Sequence, residues 1–152
     1  MSNSSEIKAP LWFWLVSLLA LVWYLFGVFQ FYTSLTMTPT GLAPMVASGQ
    51  MTQAYADFIV AMPIWIKTLF GIATVSGTLA CILLLLRKQS AKTLFIISLC
   101  GAMLMYVLLY GFSGKLDIIP SSDFIIASVV MIVTFLMILF ARKMQQRGVL
   151  KH

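Results

Sequence analysis

The chain has 152 residues, of which 61% are hydrophobic and 9% charged, and its mean hydropathy is +1.01. A soluble domain carries about 25% charged residues to cover its wet surface. This composition therefore excludes a soluble enzyme, a nucleic-acid-binding domain and a disordered linker protein. The net charge of +6 does not point to nucleic acid, because the basic residues flank apolar runs. The expected partner is the lipid bilayer.

A membrane-spanning helix takes about 20 predominantly apolar residues, and four stretches qualify: 11–32, 63–86, 93–113 and 124–141. They predict an all-α integral membrane four-helix bundle, with 1–152 as a single membrane domain. The first span follows Pro10 and is longer than the apolar region of a secretory signal, about 7–15 residues. No A-x-A site follows Tyr32, so this span is expected to be retained. Ser17, Ala20, Tyr24, Gly27 and Gln30 fall along one of its sides.

The loop 33–62 carries helix signals of its own. Thr38-Pro39 reads as an N-cap followed by proline at the first helical position. Met51, Tyr55, Phe58, Ile59 and Met62 recur at helical spacing, with Gln53 and Asp57 off the stripe. A short amphipathic helix is expected there, lying on the membrane surface or capping the mouth of the bundle. Met37, Met45, Met51 and Met62 are spaced by 8, 6 and 11 residues, wider than a thioether copper site asks for. No cofactor is expected.

In the second span Ala73, Gly77 and Cys81 form a small-residue stripe with Thr74 and Thr78 beside it, which places this helix at the bundle centre. Lys67 lies about one turn into the same span. Its long stem can snorkel to the interface, with Asp57 or Asp117 as partner, or it can supply a binding cation at the mouth of a cavity. The short turn 87–92 makes the second and third spans antiparallel neighbours. The third span offers Ser98, Ala102, Tyr106, Tyr110 and Ser113. The fourth, mostly Ile, Val, Met and Phe with Ser128 and Thr134, is expected to face lipid most. Cys81 and Cys100 read as small packing residues at similar depth.

No ionisable residue lies deep in a span, which removes the usual marker of an ion or proton path. In particular, the embedded glutamate on which small four-helix multidrug exporters depend is missing. The only histidine is His152, so neither a Ser-His-Asp triad nor a histidine metal site can be assembled. Asp117 and Asp123 read as residues that keep the loop 114–123 wet, and no enzyme is expected.

Orientation follows from the basic residues, which stay cytoplasmic. Lys8, Arg87, Lys88, Lys92, Arg142, Lys143, Arg147 and Lys151 fall on one side, against Lys67 and Lys115 on the other. Both termini, including the tail 142–152, are expected in the cytoplasm, with loops 33–62 and 114–123 outside. Trp12 and Trp14 at one end, and Tyr32, Trp65, Tyr110 and Phe112 at the other, read as interfacial anchors.

Leu35-Thr36-Met37-Thr38-Pro39, Met62-Pro63-Ile64-Trp65, the Leu83–Leu86 run before Arg87-Lys88, and Ala141-Arg142-Lys143 occur in this order along nearly the whole chain. In these segments the sequence resembles a group of small bacterial four-helix inner-membrane proteins, some of them labelled sugar transporters. The resemblance implies a bacterial inner-membrane location and brings no catalytic or binding residue with it. Three functions are compatible with the residues. The leading one is a non-enzymatic accessory protein that contacts another membrane protein or a second copy of itself. The others are a small oligomeric transporter or channel, with Lys67, Gln30, Tyr106 and Tyr110 near its path, and a lipid or quinone binder. In the last case Gln30, Tyr24, Tyr106 and Tyr110 would line the pocket.

Overall fold

The computed structural model describes residues 8–111, 114 and 116–151. Within them the chain forms α1 (Leu11–Thr36), α2 (Pro39–Ala47), α3 (Gln53–Val60), α4 (Ile64–Leu85), α5 (Ser90–Gly111), a 3₁₀ turn at Leu116–Ile118, and α6 (Ser121–Gln146). Helices α1, α4, α5 and α6 are each long and apolar enough to cross a membrane. Phe112, Ser113, Lys115 and His152, assigned above to an anchor, a helix face, a flank and the terminus, lie outside the described residues.

Several boundaries differ from the sequence reading, among them the start of α5 at Ser90 instead of Thr93. Helix α6 begins at Ser121 and runs to Gln146, and α1 continues to Thr36. An apolar run marks only the part of a helix that suits hydrocarbon, whereas Arg142, Lys143, Gln145 and Gln146 are good helix formers that extend it into the polar region. The loop also holds two helices instead of one. Thr38 caps α2 by accepting the Gly41 amide at 3.2 Å, with Pro39 in the first turn. Thr52 caps α3 by accepting the Tyr55 amide at 3.3 Å.

The long helices pack in chain order, α1 on α4, α4 on α5 and α5 on α6. Half of the α4 span is buried, against 22% for α1 and α6 and 28% for α5. The central place expected of the second span is thus its place in the structure. The fourth span is no more exposed than the first, because both stand at the ends of the row. Small residues let the helices approach. At Gly77 an added Cβ would meet the Tyr24 ring, with Cε1 at 2.0 Å, and at Gly71 it would meet Phe31 Cζ at 2.5 Å. On the other side of α4, Gly101 lies against Ala73, and the Ser98 hydroxyl donates to the Ala73 carbonyl at 2.6 Å. Gly27 faces Thr74, while Ala20 and Cys81 are buried in the central apolar cluster.

Helices α1 and α6 meet along a thin seam. Phe140 stacks on Phe13 and takes the edge of Trp12 at centroid distances of 5.9 and 5.5 Å. Farther along, the Tyr24 hydroxyl donates to Thr134 Oγ1 at 2.9 Å. The terminal end of the bundle is tied off by two matching helix stops. Arg87 after α4 and Gly148 after α6 both take positive φ, 59° and 68°. In each case the next two amides return to the last turn: Arg87 to Leu84 and Lys88 to Leu83, then Gly148 to Gln145 and Val149 to Met144. This is the Schellman arrangement, with Val149 packed as its apolar partner. The segment after α6 is therefore not a free tail. Val149 and Leu150 are buried, the Gln89 amide donates to the Lys151 carbonyl at 3.0 Å, and Arg87 Nε donates to the Val149 carbonyl at 2.8 Å.

Replacing Gly77 by alanine forces the Tyr24 ring out of its seat. The expected loss is about 1–3 kcal/mol, the usual cost of overpacking, read as a lower unfolding midpoint in mild detergent. Combining Gly77→Ala with Tyr24→Leu should recover part of that loss; a double variant no better than the single one would refute the contact.

Candidate functional site

Beyond the Tyr24–Thr134 bond, α1 and α6 stand apart, and the gap between them is floored by α4 and α5. Helical spacing puts Tyr24, Gly27 and Gln30 of α1 on one wall. Asp123, Ile126, Val130 and Thr134 of α6 recur at the same kind of spacing on the other. Two adjoining cavities occupy the gap.

The first, of 290 Å³, is mainly apolar. Trp23, Phe26 and Gly27 line it from α1, Ala102 and Met105 from α5, and Ile126 and Val130 from α6, while Tyr24, Ser98 and Thr134 stand at its closed end. The second, of 310 Å³, holds the charged and most of the polar groups. Lys67 reaches it from α4, Asp123 from α6, and Tyr55, Phe58 and Ile59 from α3. Gln30, Phe70, Met105, Tyr106 and Ile126 border both chambers, so they form one cleft graded from polar to apolar. Phe26 and Ile126 line the cleft while more than half exposed, which opens it on the flank of the bundle.

The structure brings together all five residues singled out for a pocket or path. Lys67 and Tyr110 border the polar chamber, Tyr24 the apolar one, and Gln30 and Tyr106 both. Tyr110, also read as an interfacial anchor, is half-buried at the border of the polar chamber. It stacks on Tyr106 and packs against Phe124 at centroid distances of 5.6 and 4.6 Å. Neither carboxylate suggested for Lys67 is its partner. Asp57 takes a hydrogen bond from Gln53 Nε2 at 2.8 Å, and among the described residues Lys67 makes no ion pair. Of the four loop methionines, Met37 and Met62 border the polar chamber.

Helix α3 covers the polar chamber through the stripe residues Tyr55, Phe58, Ile59 and the following Met62. Its tie to the bundle is the Tyr55 hydroxyl, which donates to the Asp123 carboxylate. Burial, and then the hydrogen bond and charge of Asp123, push the Tyr55 phenol well above its ordinary pKa of 10.0. Asp123 sits in the first turn of α6, where the helix dipole favours a negative charge. The Tyr110 hydroxyl adds a long hydrogen bond of 3.4 Å to the Asp123 carbonyl.

Sequence reasoning missed Asp123, Tyr55 and Thr134 as parts of one site. The signal for Asp123 was its register with Ile126, Val130 and Thr134, which puts the carboxylate on the inward face of the fourth span. Tyr55 was legible as an apolar-stripe residue, while its distant partner was not. Among the described residues no group of three or more His, Cys, Asp or Glu side chains could hold a metal ion. The Lys67 ammonium, the Gln30 amide and the Tyr106 hydroxyl have no hydrogen-bond partner among the described residues. The cleft thus offers unused donors at one end and an apolar slot at the other.

Tyr55→Phe and Asp123→Asn should each loosen α3, raising amide exchange across residues 53–60 several-fold and leaving α4 and α5 unchanged. The expected cost is about 1 kcal/mol, reduced from that of a fully buried charged hydrogen bond because the pair is only half-buried. Folding raises the Tyr55 pKa, so the bond contributes fully below about pH 10 and is withdrawn as pH rises past that value. Exchange in 53–60 that is insensitive to either variant and to alkaline pH would refute the tie.

No family model matches the chain, and neither a curated protein nor a solved structure is similar to it.

Proposed function

We propose that this protein is a non-enzymatic, multi-pass protein of a bacterial inner membrane that binds an amphipathic small molecule in the cleft between α1 and α6. One observation carries the reading. The two chambers adjoin, open on the flank and grade from Lys67 and Asp123 to an apolar slot. Their volumes of 310 and 290 Å³ together fall within the about 300–1,000 Å³ of small-molecule sites. A molecule already resident in the bilayer enters such a cleft sideways, head among the polar groups and chain in the slot.

The cleft also bears on the two rival readings. A transport path needs a second exit, but beyond Tyr24 and Thr134 the bundle is filled by the fully buried Phe13, Phe95, Leu84 and Met144. The accessory-protein reading needs a helix face or the outer loop to meet another protein, and the small-residue stripe of α4 is not such a face. Ala73 and Gly77 instead meet Gly101 and Tyr24 of the same chain. Binding of a small molecule is the reading that uses the site as it stands.

The basic residues support an orientation with both termini in the cytoplasm and α2 and α3 on the outer surface. In intact cells a membrane-impermeant maleimide should then label Ser48→Cys and spare Gln146→Cys; the reverse pattern would invert the topology. For the binding function, the test is native mass spectrometry of protein drawn gently from its own membrane. A small molecule retained one to one, and lost in Val130→Phe, is expected. A co-purifying protein with an empty cleft would return the function to the accessory class.

A further inference from the structure

Resting on the cleft-binding reading, we infer that the ligand is a single-chain amphiphile with an oxyanion head, a carboxylate or a phosphate, seated at Lys67. Lys67 is half-buried about a turn into a membrane-spanning helix and borders the polar chamber. A lysine so near a helix end keeps its charge by reaching water or an anionic group at the mouth of the cleft. Among the described residues it has no ion pair, although a carboxylate, Asp123, borders the same chamber. Asp123 is already engaged by the Tyr55 hydroxyl and by the first turn of α6. Among the described residues the Lys67 ammonium is thus left without an ion-pair contact, and an anionic head can supply one.

The neutral groups around Lys67 fit the same head. The Gln30 amide and the Tyr106 hydroxyl border both chambers and are uncommitted donors. One ammonium and two neutral donors suit the several acceptor oxygens of one oxyanion. The slot beyond has a volume of 290 Å³, with Ala102 and Val130 at its border and Tyr24, hydrogen-bonded to Thr134, at one end. So small a volume suits one chain better than two, and any excess length leaves through the flank beside Phe26 and Ile126.

The test measures binding to the full chain in neutral maltoside micelles by native mass spectrometry. The probes are dodecanoate, dodecyl phosphate, dodecanol and inorganic phosphate. Both anionic amphiphiles should bind about tenfold or more tighter than dodecanol, the scale of a charge-assisted hydrogen bond. Inorganic phosphate alone should bind far more weakly. Lys67→Gln should erase the preference for the anions and keep dodecanol binding, while Val130→Phe should weaken all three amphiphiles together. Unfolding midpoints of both variants near that of the parent protein establish that they are folded. Equal binding of dodecanol and the anions, or a preference that survives Lys67→Gln, overturns the oxyanion inference and leaves the cleft-binding reading standing. Inorganic phosphate binding as tightly as dodecyl phosphate overturns the role of the chain. Failure of every amphiphile overturns both readings.

Discussion

The seating of Tyr24 on Gly77 is the contact on which the remaining arrangement depends. In lipid, helices gain little from the hydrophobic effect and associate through close packing and a few polar bonds. A glycine on α4 gives the Tyr24 ring of α1 room to pack close against α4. Held there, the hydroxyl reaches Thr134 of α6 at 2.9 Å. One side chain thereby links three helices, including two that are otherwise only thinly joined. The same ring lies 6.0 Å from Phe95 of α5, so every long helix touches the Tyr24 neighbourhood.

That joint also sets the depth of the cleft. On its terminal side the bundle is filled by buried side chains, and α4 and α6 end in paired Schellman turns that lock Arg87–Gln89 to Val149–Lys151. On its other side α1 and α6 have no comparable tie, and the space is covered by α3 through Tyr55 and Asp123. The two ends therefore differ in firmness. One is held by backbone hydrogen bonds and buried Val149 and Leu150. The other is held by a half-buried phenol–carboxylate pair on an eight-residue helix, the kind of element that opens at low cost. A ligand-admitting cleft belongs at the softer end.

The polar groups of the cleft come from separate parts of the chain, and each has an ordinary structural use. Lys67 could snorkel, Gln30 could face water, and Asp123 could serve α6 as a first-turn acid. Their convergence on adjoining chambers is what makes them a site. The Asp123 carboxylate is engaged by Tyr55, and among the described residues Lys67 has no ion-pair contact.

Composition and pattern alone determined four long apolar helices, the central position of α4, the cap at Thr38-Pro39 and the helical spacing of the apolar residues in α3. Each follows from local periodicity, residue size or capping chemistry, which act within a few residues. The five candidate pocket residues were also nameable, because polar groups with reach are conspicuous in apolar helices. Tertiary structure alone decided that they converge, that Asp123 and not Asp57 or Asp117 shares the chamber with Lys67, and that Tyr110 borders that chamber too. It likewise decided that the segment after α6 folds back on the α4–α5 turn. These outcomes depend on the rotation and separation of helices set by Gly77, Gly101 and Thr134, contacts between residues far apart in the chain. An apolar helix with little amphipathic contrast does not announce which of its faces will meet which neighbour.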